Sequence, residues 1–196
     1  MPEKRDPATQ YSGEAFAVVG PVVQALTKAG WPDLLATFRS IRQQWREAIA
    51  ELTEREATVA GAPGDHWTPS AVVNHQGGFL ALAAKIMRGA VSGHDQVMEG
   101  IDDQWLGDDL GFADLLGLCA RAFADFEAAA EESSRASAPT GSVTTPYLIA
   151  GDTRLWMRNC VIHTAEHVAH MRKVRGFGSG GYPEVVKVIT RAGQLD

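Results

Sequence analysis

Residues 152–176, DTRLWMRNCVIHTAEHVAHMRKVRG, carry three of the chain's six histidines: His163, His167 and His170. The stretch reads as one continuous helix. Asp152 can cap its start, and Gly176 stands just past its last turn. Residues three and four apart share a helical face, with Cβ atoms about 5–6 Å apart. His163 and His167 can therefore aim two imidazoles at one point. At about 100° per residue, the three histidines fall on the side of Trp156, Cys160 and Val174. Arg154 and Arg172 take the opposite side, with Arg158 and Arg175 on its flank. Arginine favours water, so the histidine face is expected to point inward. Inward imidazoles need partners for their ring nitrogens. A shared metal ion would supply them, and so would hydrogen bonds within the core.

A metal site needs a third ligand from another element. Residues 61–70, GAPGDHWTPS, form a loop that ends in a strong helix start. Thr68 can cap, and Pro69 suits the first helical position. The helix is expected to run to about Gly89, with Val72, His75, Phe79, Leu82 and Ile86 on its apolar face. His75 is the candidate third ligand; a lone inward histidine is otherwise an ordinary core residue.

The rest of the chain reads as further helices. Pro32 to about Leu52 places Leu34, Phe38, Ile41, Trp45, Ile49 and Leu52 at three- and four-residue steps. Phe112 to Glu132 aligns Leu115, Cys119, Ala122, Phe123 and Phe126. Glu14 to Ala29 reads as one or two short helices broken near Gly20 and Pro21. After the glycine run GFGSGGYP, a short helix from Pro183 to Ala192 should dock on the bundle or on a second subunit. The glycine run lacks the spacing and preceding strand of a nucleotide-binding turn. Residues 90–110 and 133–151 are long connectors that permit crossover topology. No period-two alternation argues for strands. The expected fold class is all-α, a four-helix bundle over residues 32–176. It would carry an N-terminal arm over 1–31 and a glycine-rich linker with an accessory helix over 177–196.

Composition narrows the function classes. The chain has 196 residues, 45% hydrophobic and 21% charged, with a net charge of −6. There is no basic cluster or stacking-aromatic pattern, so no nucleic acid is expected as partner. No apolar run approaches the roughly 20 residues of a membrane span. The N-terminus lacks a signal-peptide core. Cys119 and Cys160 read as buried thiols of a cytoplasmic protein rather than a disulfide framework. Asp102, Asp103, Asp108 and Asp109 do not match a calcium-loop spacing. They read as solvated acids, and His66 and His94 as solvent-facing.

Two features together carry a resemblance. One is Trp67-Thr68-Pro69-Ser70 opening a helix, followed by His75. The other is the later H-x-x-x-H of His163 and His167, with His170 three residues on. The pattern resembles the DinB/YfiT-like superfamily of four-helix bundles over about residues 33–175. Members bind a divalent metal through one histidine of the second helix and two of the last. The resemblance therefore implies His75, His163 and His167 as ligands. A register beginning at His167 would put Met171 in the second position, whereas one beginning at His163 keeps both imidazoles. The mycothiol-dependent maleylpyruvate isomerase group is similar, but usually has Glu where His163 stands here.

Three neutral imidazoles leave a coordination position open, the catalytic rather than the closed structural arrangement. Such an ion can lower the pKa of bound water or of an incoming thiol. Zinc is the default expectation, and nickel, iron and manganese also accept imidazole. The resemblance implies thiol S-transferase chemistry: a low-molecular-weight thiol, or water, delivered to an electrophilic small-molecule substrate. Glu166 flanks the histidine stripe. It is a candidate acceptor for an imidazole N–H or a proton shuttle, or else a surface residue. Asn159, one turn before His163, could orient it. His170 is a candidate acid/base or a hydrogen-bonded core residue. The competing readings are a bundle that sequesters a reactive small molecule without turnover, and an inert helical domain, monomeric or homodimeric.

Overall fold

A computed structural model of the chain describes residues 14–59, 67–98, 104–137, 140–145 and 151–193. Its helices are α1 (Glu14–Lys28), α2 (Trp31–Ile49), α3 (Glu54–Ala57), α4 (Pro69–Val91), α5 (Phe112–Ser134), α6 (Thr153–Val174) and α7 (Tyr182–Ala192). The fold is all-α, as the sequence predicts. The strands among the described residues are two-residue pieces, β1 (Gln96–Val97) and β2 (Val143–Thr144).

Four long helices make a ring. α4 packs on α5 and α6, and α2 packs on the same two helices from the other side. The apolar stripes meet inside it. Phe38 of α2 lies 4.9 Å from Phe126 of α5 between ring centroids, and Trp45 lies 5.8 Å from Phe123. All four rings are buried, and each buried large side chain contributes on the order of 1.5–3 kcal/mol.

Side-chain pairings fix the helix directions. Arg88 near the end of α4 bonds to Asp125 (2.6 Å) and approaches Glu132 (3.5 Å) near the end of α5. The two helices therefore run the same way. Gly77 lets them close up, because a Cβ there would stand 3.1 Å from Cys119 Cα. α2 runs antiparallel to α5, and α6 antiparallel to α4, so the order is up-down-down-up. Because α4 and α5 are parallel, the chain between them has to travel back along a helix of 23 residues, about 35 Å at 1.5 Å per residue. That is the physical reason for the long connector at 92–111.

The connectors are stitched to each other. β1 and β2 pair in parallel, Gln96 opposite Val143 and Val97 opposite Thr144. Val143 also bridges Gly151 in antiparallel fashion. Such short pairings leave no alternation to read in sequence.

α7 packs on α1, α2 and α6, and α1 packs on α6 as well. Gln44 Nε2 donates to the Val188 carbonyl at 2.9 Å. The C-terminal helix thus docks on its own chain. α1 corrects an expectation: it runs unbroken through Pro21. Pro21 forfeits its own N–H bond and its ring crowds the turn before it, but Val19, Val22 and Leu26 hold one face of the helix in the core.

The arginine side of α6 is a second correction, since it is buried or half-buried against the chain rather than turned out to open water. Arg158 is buried and donates to Asn159 Oδ1 (2.7 and 3.1 Å) and Thr27 Oγ1 (2.9 Å). Arg154 donates to the Thr27 and Ala29 carbonyls at 2.8 and 3.1 Å. Arg175 donates to those of Ala48 and Ala50 at 2.7 and 3.0 Å. Arg172 reaches Gln44 Oε1 at 3.1 Å. The last carbonyls of a helix lack intrahelical donors and carry partial negative charge. The C-terminal ends of α1 and α2 lie against α6, and its guanidiniums cap them.

Candidate metal centre

Local sequence starts and stops both helices of the site. Thr68 Oγ1 accepts from the Ala71 N–H at 3.1 Å and opens α4. Asp152 Oδ1 accepts from the Leu155 N–H at 2.8 Å and opens α6. Gly176 ends α6 at φ +75°, and the Phe177 N–H returns to the Arg172 carbonyl at 2.7 Å. That left-handed turn favours glycine.

One polar contact sets how α4 and α6 meet. Gln76 Nε2 donates to Thr164 Oγ1 at 3.1 Å, and Thr164 in turn donates to the Cys160 carbonyl at 2.7 Å. These residues directly follow His75 and His163. The contact therefore places the two histidines across from one another.

His75, His163 and His167 converge. One ring nitrogen from each lies within 4.8 Å of the others. The Nε2 atoms of His163 and His167 are 3.3 Å apart. Ring centroids are 4.5 Å apart for His163 and His167, 4.8 Å for His75 and His167, and 5.4 Å for His75 and His163.

The donor set fits a small divalent ion. Zinc–nitrogen bonds of about 2.0–2.1 Å in a tetrahedron give an edge of about 3.3–3.4 Å, the separation the His163–His167 pair already shows. The Nδ1 atoms of both rings are sequestered and have no hydrogen-bond partner among the described residues. Both rings are held well below the usual histidine pKa, first by desolvation and then by neighbouring imidazoles. They are neutral near pH 7, the form that donates a lone pair to a metal.

Aromatic rings wall the cluster. Phe79 stacks on His163 with centroids 3.7 Å apart. Trp67 meets His75 edge-on at 5.2 Å and stacks on Trp105 at 5.3 Å. Trp105 belongs to the returning connector and lies 5.5 Å from His75. Asn74 pins it there: Nδ2 donates to the Gly107 carbonyl at 2.8 Å, and Oδ1 accepts from the Leu106 N–H at 2.7 Å. Gly78 admits the connector, since a Cβ there would be 2.5 Å from the Trp105 backbone. On its outer side Trp105 helps line an open cavity of about 550 Å³ with Thr68, Asn74 and Asp108.

The other candidates lie outside the three-donor group. His170 is half-buried, with its ring centroid 6.0 Å from that of His167 and 5.5 Å from that of Trp67. Glu166 is half-buried on α6. Asn159 gives its carbonyl oxygen to Arg158. Cys119 and Cys160 are free, buried thiols. Burial pushes Cys119 up to about 12 and Cys160 well above the ordinary thiol range, so neither is poised as a thiolate. His94, Asp108 and Asp109 are exposed as read. His66, Asp102 and Asp103 fall outside the described residues.

The sequence reading did not single out Gln76, Thr164, Asn74, Gly78 or Trp105. The Gly77-Gly78 pair inside a helix was the available signal, because such glycines often mark a close backbone approach.

The chain matches no family model, no curated protein and no solved structure. Its class is therefore defined by its own fold and site. It is an all-α protein in which two antiparallel helices bring three histidines into a group able to hold a metal ion. Among the described residues, no helix is long and apolar enough to cross a membrane.

Proposed function

We propose that the chain is a metal-dependent enzyme of the DinB/YfiT-like kind, with His75, His163 and His167 as ligands of a divalent ion, zinc first. The observation that supports this reading is the approach of three ring nitrogens from two helices to within 4.8 Å. When bound, the ion supplies Lewis acidity to a thiol or water at an open position. The chain's residues do the rest. Neutral imidazoles hold the ion. Trp67, Trp105 and Phe79 keep bulk water away from one side, which strengthens electrostatics inside the site. Glu166 and His170, on the same helix as two ligands, are the candidates for moving a proton. The substrate class is an electrophilic small molecule, and the co-substrate a small cellular thiol.

Metal content tests the reading directly. Protein purified without an affinity histidine tag should carry about one equivalent of metal, as expected for a three-ligand site, and the His75→Ala variant almost none. A screen of small thiols against electrophiles, with and without chelator, then reads turnover. Stoichiometric capture of a ligand with no turnover would favour the sequestering alternative. Absence of metal from reconstituted wild type would sink the proposal.

A further inference from the structure

Metal-bound imidazoles ordinarily donate their far N–H to a carboxylate, carbonyl or water, and that bond fixes the ring's rotation. His163 has no such bond among the described residues, because its buried Nδ1 lacks a partner. What it has instead is a flat neighbour. Phe79 lies over the imidazole with planes 21° apart and centroids 3.7 Å apart, nearer than any other aromatic contact in the cluster. Phe79 is 1% exposed, and the fully buried Trp156 backs it at 6.0 Å. The plate cannot swing away. It also stands one helical turn after His75 on α4. The helix that provides one ligand therefore provides the surface against which the other helix's ligand is set.

We infer that Phe79 is a positioning residue, fixing the ring plane of His163 by stacking so that Nε2 faces His167. Rotation of the imidazole about its bond to Cβ would drive a ring edge into the phenyl face. The observed plane lies flat against the phenyl and keeps the two Nε2 atoms 3.3 Å apart. Side-chain packing thus does the work that a hydrogen bond does elsewhere. The inference rests on the metal-site reading.

Cobalt(II) is the probe, because its visible absorption reports ligand geometry as well as binding. Affinity is measured against a chromophoric chelator, and the melting temperature of the metal-free protein is recorded beside it. Phe79→Leu and Phe79→Met keep apolar volume but remove the flat plate. Both should weaken cobalt binding by about 10–100-fold, the usual effect of losing a group that orients a ligand. Their absorption bands should shift as well. Phe79→Tyr keeps the plate and should restore the wild-type spectrum, even if its hydroxyl lowers the melting temperature. A purely structural role predicts otherwise: affinity would track melting temperature across all three variants, with no change of spectrum. That outcome, or wild-type affinity in Phe79→Leu, overturns the positioning role and leaves the metal site standing. If wild type itself binds no cobalt, the metal reading falls and this inference falls with it.

Discussion

α6 carries two polar stripes, and both are buried or half-buried. Their fates differ. The arginine stripe finds acceptors within the chain, at the carbonyls of Thr27, Ala29, Ala48 and Ala50 and at side chains of Gln44 and Asn159. The histidine stripe points the Nε2 atoms of His163 and His167 at each other and leaves their Nδ1 atoms without a partner among the described residues. A buried polar atom without a partner costs on the order of 1–3 kcal/mol. One stripe is thus satisfied by folding. The other is assembled at a cost that a bound ion would offset. That contrast separates scaffold from site on a single helix.

Replacing each stripe in turn sharpens the contrast. The largest effect is expected from His75→Ala, His163→Ala and His167→Ala, read as metal affinity. Each should lower it by at least about 10³-fold, or about 4 kcal/mol. Deleting a packed ring also has a cost of its own, on the order of a few kcal/mol, which urea unfolding of the metal-free variants reads separately. Wild-type metal content in all three variants would break the comparison at its root. Arg158→Met should do the reverse. It removes the buried guanidinium and takes its donors away from Asn159 Oδ1 and Thr27 Oγ1, and urea unfolding should show a loss of about 2–3 kcal/mol, with metal content unchanged.

Acid separates the stripes without mutation. The folded-state pKa values of His163 and His167 are lowered, so the native metal-free protein resists protonation that the unfolded chain accepts. Stability is full above the unfolded value of about 6.5. It is then lost as pH falls from there toward the folded values, at up to about 1.4 kcal/mol per pH unit for each ring. Urea titrations of chelator-treated protein between pH 7 and 5 should show this decline, and the His163→Ala, His167→Ala double variant should flatten it. An unchanged slope in the double variant would mean that other groups carry the acid sensitivity.

What the sequence disclosed follows from how local each feature is. The helical period alone puts His163 and His167 on one face. Thr68, Asp152 and Gly176 mark helix ends through contacts within a few residues. His75 joined them because an inward histidine on a second helix needs a partner. Other features depend on where distant segments end. The arginines were read as solvated because nothing in 152–176 reveals that α1 and α2 terminate beside them. Trp105 was read as connector because its place over His75 depends on Asn74, some thirty residues earlier, and on the parallel run of α4 and α5. Pro21 pointed to a break by a local rule that burial of Val19, Val22 and Leu26 overrode.

The smallest effect expected is the most selective. Arg175 caps the end of α2 through the Ala48 and Ala50 carbonyls, and its guanidinium carbon lies 4.8 Å from the Phe177 ring centroid. The residue is half-buried, so solvent screens part of the interaction. Arg175→Ala should cost about 1 kcal/mol, the ordinary scale of a cation at a helix C-terminus. Arg175→Lys should recover part of that, because an ammonium retains the charge but loses the planar fork that spans two carbonyls. The residue stands eight positions after His167, at the C-cap of the same helix. If capping belongs to the scaffold alone, both variants keep wild-type cobalt affinity and spectrum. A change in either would show that the end of α6 transmits its packing to the histidines, and the two stripes would then be one device.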